Sequence, residues 1–494
     1  MSVERETKLD VGPGFRLPGF DDVRDGVVAT GSDPEQSRTV YWDTDDLRLA
    51  RWGCSLRHRE GQGWTLKLPP LEVGGALARE EIVQQGAADR VPEELSALVT
   101  AYVRGETLHP TVTLQTVRTR VVLTDADRNP LGEVVDDEVS VVEDRRTTAG
   151  RFREVEVETD DEDLAAAAVG RLRAAGAGDT ILTPKYLRAL GPGAVDPPEL
   201  VASTSLPADA SVVDVVRNGI AASVIRLVRA DAGVRLGEDP EAVHQARVAT
   251  RRLRSDLRTF RSLLDRSWTR SLRDELSWLG DSLGAVRDLD VLAARLDTEI
   301  ATLPDQDRPA GERLVGRLRA VRSAARERLL VDLRSPRYVA LLDALVAGAS
   351  QPLVLAESAC LPAREAMASV MAGPLAHLSG ACEAIGRRSS DDVLHTARIQ
   401  AKHARYAADA LAPVFGKSAR SFVRAAGKLQ DRLGAHQDAV VASAWLRETA
   451  RTYPSTAFVA GLLAAREEEA RRRARTSWRS AWKATRRKVP RSWR

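Results

Sequence analysis

The feature that most limits the fold is a break in hydrophobic periodicity at residues 191–211, "GPGAVDPPELVASTSLPADAS". Before it, short runs rich in Val, Thr and Leu are punctuated by Gly, Pro and Asp, the pattern of strands and turns. They are "TVYWDT", "SLRHRE", "GWTLKLP", "REEIVQQ", "LQTVRTRVVLT", "LGEVVDDEVSVV" and "FREVEVET". Two helical stretches interrupt them, near 91–103 and 162–175, the second with Gly176 as its stop. After the break, Ala, Leu and Arg recur at helical spacing to about residue 488, cut by Gly and Pro into about ten helices. Residues 191–211 are dense in Pro, Gly, Ser and Ala, carry no period, and read as a linker. A chain of 494 residues exceeds one ordinary core. The expected fold is therefore α+β and multidomain: antiparallel strands at 1–190, linker at 191–211, an all-α helical bundle at 212–488.

The helical part repeats itself, which bears directly on its architecture. "VHQARVATRRLRSDLRTF" at 243–260 matches "LHTARIQAKHARYAADAL" at 394–411 in register. "LGDSLGAVRDLDVL" at 279–292 is echoed by "LQDRLGAHQDAVV" at 429–441, aligning Gly284 with Gly434 and Asp288 with Asp438. Two related halves are expected, about 212–350 and 362–488. In the first, His244, Arg247, Arg251, Arg254 and Arg258 fall on one helical stripe. His395, Arg398, Lys402 and Arg405 repeat it in the second. A solvated surface helix interleaves such cations with acids at i+4. Neither stripe contains one, which points to a groove for phosphate oxygens. Asp288 and Asp438 suit either support of the arginines or a binding role.

In the front part, strand parity sorts charge. Glu154, Glu156 and Glu158 share one face of "FREVEVET", with Val155 and Val157 on the other. Glu4, Glu6 and Lys8 alternate near the N-terminus, and Glu133 and Asp137 share parity. Basic residues sort separately: Arg57 and Arg59, Lys67, Arg79, Arg118 and Arg120, with Lys185 after the last helix. A wet outer face has no reason to place acid on some strands and base on others. Facing into a closed barrel, the acids suit one or two divalent cations and the bases suit phosphates. Mg²⁺ in particular takes a few carboxylates, waters and substrate phosphates.

Glu4-x-Glu6-x-Lys8, "YWDTDDLRLARWGCSLRHRE", "GWTLKLP" and "EVEVE" together resemble the CYTH domain of the triphosphate tunnel metalloenzymes, over about residues 1–190. The resemblance implies an eight-stranded antiparallel tunnel around a triphosphate, with Mg²⁺ or Mn²⁺ bridging its oxygens. It makes Glu4, Glu6, Glu154, Glu156, Glu158, Glu133 and Asp137 the expected metal holders. Arg57, Arg59, Lys67, Arg79, Arg118, Arg120 and Lys185 become the triphosphate clamp, and Lys8 and Lys185 the groups orienting the reacting phosphates. His58, with outward parity, is expected to be a bystander. The two histidine-led stripes, "LGAVRDLDVL" and "LGAHQDAVV" resemble the CHAD domain, a helical module associated with inorganic polyphosphate.

Charge is divided to match. Residues 1–200 hold 24 Lys and Arg against 37 Asp and Glu; the remainder hold 49 against 33. A basic back seeks polyanions and an acidic front holds cations. Cys54, Cys360 and Cys382 form no zinc or disulfide pattern and read as buried or inert thiols. No apolar run is long enough for a membrane span and the start is charged, so a cytoplasmic protein is expected, with polyphosphate granules as a further setting. The basic, Trp-containing tail reads as a final helix burying Trp478 and Trp482, with a frayed end. The function expected is metal-dependent hydrolysis of inorganic triphosphate in front, with polyphosphate held behind. A non-catalytic polyphosphate-binding or granule-targeting protein is the alternative; an adenylate cyclase or organic triphosphatase ranks lower. Nucleic acid is the less favoured polyanion.

Overall fold

The structure, a computed structural model, describes residues 6–73, 76–78, 80–144 and 150–493 and divides into two compact units, Met1–Pro198 and Glu199–Arg494. Glu4 and Arg79 lie outside the described residues.

The front unit carries strands β1 Glu6–Val11, β2 Val28–Gly31, β3 Glu35–Asp43, β4 Ser55–Arg59, β5 Gly63–Lys67, β6 Leu71–Val73, β7 Ala76–Ala78, β8 Glu81–Gln84, β9 His109–Thr124, β10 Pro130–Asp144 and β11 Arg151–Glu158. Nine of them form one antiparallel sheet in the order β1-β11-β10-β9-β3-β4-β5-β8, with β2 beside β9; β6 and β7 pair separately. Short helices α1 Arg48–Arg51, α2 Glu93–Leu98 and α3 Thr100–Val103 precede β9, while α4 Glu162–Ala174 and α5 Lys185–Leu190 follow β11.

Alternation gives the sheet two unlike faces. Val155 and Val157 pack with Leu9, Leu123 and Val134 against Leu164, Ala168 and Leu172 of α4. The Asp161 carboxylate starts that helix by accepting the Leu164 N–H, and Gly176, at φ +102°, turns the chain after it. The other face carries the sorted charge. Toward one end it turns apolar, where Tyr41, Val112, Leu114 and Val139 meet Tyr186, Ala189 and Leu190 of α5. Lys185 thus heads a helix of its own, whose Tyr186 ring stacks on Tyr41 at 5.1 Å. His58 keeps its outward parity and meets the Trp64 ring at 5.2 Å.

The back unit has twelve α-helices among the described residues: α6 Val212–Leu236, α7 Pro240–Thr259, α8 Arg266–Ile300, α9 Arg308–Arg334, α10 Pro336–Ser350, α11 Ala356–Ala359, α12 Ala363–Val370, α13 Ala372–Glu383, α14 Asp391–Ala410, α15 Ala412–Phe415, α16 Lys417–Thr452 and α17 Ala457–Arg487. The excess over ten comes from single turns such as α11 and α15, too short to leave a period. The duplication is plain in element lengths: α7 and α14 have 20 residues each, α8 and α16 have 35 and 36, α9 and α17 have 27 and 31. The four long helices share a core of Leu292, Leu296, Ile300, Leu314, Leu318, Leu446 and Leu463. Helix starts follow the capping residues. Ser211 and Asp214 form a reciprocal box at α6, and Asp239 with Pro240 opens α7.

One sequence expectation needs correction. The chain end is not frayed at Trp493, which is buried edge-on against Phe415 and Phe422. Of the three free thiols, Cys54 and Cys382 are buried, but Cys360 is exposed. No described helix is long and apolar enough to cross a membrane.

Candidate functional site

In the front unit, register brings the acids of three strands side by side. Glu6 faces Glu158, and Lys8 faces Glu156, across β1 and β11. Glu133 faces Glu158, and Asp137 faces Glu154, across β10 and β11. Carboxylate oxygens of Glu6, Glu156 and Glu158 lie within 4.8 Å of one another. Asp137, Glu154 and Glu156 are 0%, 0% and 3% exposed, so this face is no wet sheet surface. Buried charges persist only when paired or bound to a cation.

The pairing is specific. Lys8 Nζ lies 2.7 Å from Glu156 and 2.9 Å from Glu6. Arg118 grips Asp137 with two hydrogen bonds, 2.8 and 2.7 Å, and stands 3.7 Å from Glu156. Lys185 reaches Asp137, Glu156 at 2.9 Å and Glu154 at 3.4 Å. Burial opposes the charge of Glu156, but Lys185 and Lys8 outweigh it and pull its carboxyl down to about 2. Glu158 goes the other way. Burial, then Glu6, Glu156 and Glu133, hold it above the usual carboxylate range. Glu154 is raised too, by burial first, against the pull of Lys185. Both lysines sit above the ordinary lysine value: burial works against them, and Glu156 for Lys8, Asp137 for Lys185, prevail.

Of the expected metal holders, the structure therefore gathers Glu6, Glu156 and Glu158, the first two also paired with Lys8, while Asp137 and Glu154 stand outside that group, paired with Arg118, Lys185 and Arg188. Glu133 lies 3.4 Å from Arg120. Of the expected clamp, Arg57 and Arg59 stand on β4, opposite Tyr41 and Thr39 of β3. Arg59 donates to Thr39 Oγ1 at 3.2 Å, and the buried Nε of Arg57 finds no partner among the described residues. Lys67 is tied to Glu81 at 2.8 Å. Sequence reasoning missed Arg188, which joins Glu154 at 2.8 Å and Asp10 at 2.9 Å. Its only sequence signal was its place one turn after Lys185.

A divalent cation fits this donor set. Three carboxylates converge without histidine or thiolate, the ligand type of a hard cation such as Mg²⁺ or Mn²⁺. Burial first, then the neighbouring Glu6, Glu156 and Glu133, raises the Glu158 carboxyl, and a cation beside it would offset both.

In the back unit, α7 packs on α14, so the two stripes belong to one basic region. Arg251, Arg398, Arg247 and Arg254 all act on Lys402. Burial first, then these arginines, lower its ammonium to about 8. Arg251, Arg398 and Arg405 each keep a buried Nε without a partner among the described residues, as does His395 with its Nδ1. Such groups are satisfied by water or by a bound oxyanion. The echoed glycines explain how the stripes are seated. A Cβ on Gly284 would lie 2.3 Å from Arg247 Nη1, and one on Gly434 would lie 3.6 Å from Arg398 Nε. Arg247 lies across Gly284, donating to the Gly280 carbonyl at 2.8 Å and reaching Asp288 at 3.3 Å.

The crossing of α7 and α14 is not symmetric. Arg252 pairs with Asp409 at 2.5 Å on one side, while Arg258 meets His403 at 3.4 Å on the other. In the duplication Arg252 corresponds to His403 and Arg258 to Asp409, so only one side has acquired an acid. The other side opens into a cavity of about 170 Å³, lined by Arg251, Arg254, Arg258, Arg273, Lys402 and His403 among others. His403 there is pushed down to about 4, by burial first and then Arg258 and Lys402, and is neutral at pH 7. His244 stands half-buried on α7, lowered by burial and Arg287.

Comparison with known proteins matches residues 4–184 to the family model of the CYTH domain and 219–447 to that of the CHAD domain. Two curated relatives from Mycobacterium tuberculosis, Uncharacterized protein Rv2226 of strain H37Rv and Uncharacterized protein MT2285 of strain CDC 1551, are each 32% identical, covering 97% of this chain and 95% of theirs. The crystal structure of the CHAD domain from the plant Ricinus communis is 28% identical, covers 58% of this chain and 95% of its own, and superposes with a TM-score of 0.49.

Proposed function

The chain belongs to the CYTH–CHAD family, and from that premise we propose that its front unit hydrolyses inorganic triphosphate while its back unit holds inorganic polyphosphate. CYTH domains are metal-dependent triphosphate tunnel enzymes, and CHAD domains accompany polyphosphate. The observation that carries the reading is the trio Glu6, Glu156 and Glu158 standing beside Lys8, Lys185 and Arg118 on one face of the sheet. Acids for a cation and bases for phosphate oxygens within one site suit a metal-bound triphosphate and little else.

Glu6, Glu156 and Glu158 would hold Mg²⁺ or Mn²⁺. When bound, the cation supplies charge neutralisation on the phosphate oxygens and an activated water. The chain's own residues do the rest. Arg57, Arg59, Arg118 and Arg120 bind non-reacting oxygens, and the clamp holds the chain of phosphates in line. Lys8 and Lys185, with ammonium groups held charged by their acid neighbours, donate to the developing negative charge rather than accept protons. Phosphoryl transfer needs mostly such positioning and charge stabilisation. In the back unit, cations at the α7–α14 crossing take successive phosphates of a longer chain.

The test is phosphate release from tripolyphosphate with Mg²⁺ or Mn²⁺, beside Glu6→Gln/Glu158→Gln. Release by the wild type and its loss in the double variant supports the reading; equal background in both sinks it. A binding-only tunnel is the second reading. Lys8 favours it by bridging Glu6 and Glu156, where an ammonium serves as their cation. Tight tripolyphosphate retention without turnover selects it.

A further inference from the structure

The helix α5 is six residues long and has no side-chain cap at its start. A helix this short does not hold itself together; its contacts must place it. On its inner side Tyr186 stacks on Tyr41, and its hydroxyl donates to the Cys54 carbonyl at 3.1 Å. These contacts fix the helix axis but leave open how its first residue meets the charged face.

Arg188 settles that. It stands one turn after Lys185, on the neighbouring i+3 position. One of its terminal nitrogens donates to Glu154 Oε2 at 2.8 Å, the other to Asp10 Oδ1 at 2.9 Å. Its guanidinium also covers the Phe152 ring at 4.3 Å. A single side chain therefore ties α5 to both β1 and β11. Glu154 is the shared element: Oε2 takes Arg188, while Oε1 lies 3.4 Å from Lys185 Nζ. Asp137, fully buried, takes Lys185 on the other side and is itself held by both arms of Arg118.

We propose that Arg188 is a positioning residue which, through Glu154 and Asp10, aims Lys185 at the triphosphate, and that Glu154 and Asp137 serve this anchor rather than the metal. The inference rests on the proposed triphosphate chemistry for its kinetic arm only. Geometry separates the two groups of acids. Glu6, Glu156 and Glu158 converge within 4.8 Å of one another, whereas Glu154 lies outside that group, its Oε2 accepting from Arg188 and its Oε1 standing 3.4 Å from Lys185 without a hydrogen bond among the described residues. Glu156 is the junction, sharing Lys185 with the anchor and Glu6 and Glu158 with the cation trio.

Three measurements on the full chain test it. Hydrogen exchange of the amides of residues 185–191 should quicken at least about tenfold in Arg188→Met, since the anchor of a marginal helix is gone. Mn²⁺ binding, followed by electron paramagnetic resonance on the protein alone, should stay within about twofold of wild type in Arg188→Met and Glu154→Gln but weaken about tenfold or more in Glu158→Gln. With Mg²⁺ and tripolyphosphate, kcat should fall about 10- to 100-fold in Arg188→Met with KM little changed, because orientation is lost and binding is not. Arg188→Lys, keeping the charge but one contact, should fall between. Unchanged exchange in Arg188→Met overturns the anchor, and a Glu154→Gln loss of Mn²⁺ affinity equal to that of Glu158→Gln overturns the division of the acids. If the wild type releases no phosphate, the proposed function fails, while the exchange and Mn²⁺ results still decide this inference.

Discussion

At the scale of single residues, the front site is a contest over carboxylates. Glu158 carries the least compensated charge of the trio, so it gains most from a cation. Glu158→Gln is expected to raise the Mg²⁺ concentration for half-maximal hydrolysis about tenfold or more, read from a metal titration of phosphate release. The glycines of the back unit make a sharper comparison. Replacing a helical glycine with alanine ordinarily stabilises by about 0.5–1 kcal/mol. At Gly434 the added carbon meets Arg398 at an ordinary 3.6 Å, so Gly434→Ala should gain that stability and keep its polyphosphate affinity. At Gly284 it meets Arg247 at 2.3 Å and must displace the guanidinium. Losing one charge-assisted contact costs about 1.5–3 kcal/mol, so Gly284→Ala should bind polyphosphate roughly tenfold or more weakly in calorimetry.

Elements add what residues cannot. Helix α14 presents Lys402 to Arg247, Arg251 and Arg254 of α7 and to its own Arg398, with neutral His403 beside it. Burial first and then the arginines lower the Lys402 ammonium to about 8 in the free protein, and a phosphate bound among those arginines would raise it again. Binding above pH 8 must therefore take up a proton, so affinity for polyphosphate should fall about tenfold between pH 7 and pH 9. Lys402→Arg should flatten that profile in calorimetry at fixed salt. For the free chain the sign reverses. The unfolded state binds the extra proton between about 8 and 10.5, so the back unit gains stability as pH rises through that window. This pairing of helices was legible because a stripe repeats in register. Its asymmetry was not: Asp409 lies far from Arg252 in the sequence and meets it only at the crossing. The same limit applied in front. Parity assigned Glu154 to the right face, but alternation cannot say which neighbour an acid meets across a strand. Its partners Lys185 and Arg188 arrive on a helix some thirty residues later. Trp493 was misjudged for a related reason: a basic chain end looks frayed until Phe415 and Phe422 come to meet it.

For the whole molecule, two compact units imply two separable stabilities. The boundary between the compact units falls at Pro198, within residues 191–211. A cut at Gly191 would remove buried Ala194 and the Pro197 carbonyl that accepts two hydrogen bonds from Arg51. Residues 1–198 and 199–494 expressed apart should each unfold cooperatively. Phosphate release should stay with the first and polyphosphate retention with the second; a front piece that melts without a transition would contradict this. The paired acids of the front unit also bear on what enters. Lys8 sits on Glu6 and Glu156, Arg118 and Lys185 on Asp137, and Arg188 on Glu154, so most acids of the resting site already have a cation of the chain beside them. Triphosphate arriving alone would draw those cations away and strand the acids; a cation arriving alone would meet ammonium groups already in place. The species that exchanges evenly is the preformed ion complex of the two. Rates measured at varied totals of Mg²⁺ and tripolyphosphate should collapse onto the concentration of their one-to-one complex, with uncomplexed tripolyphosphate acting as a competitor.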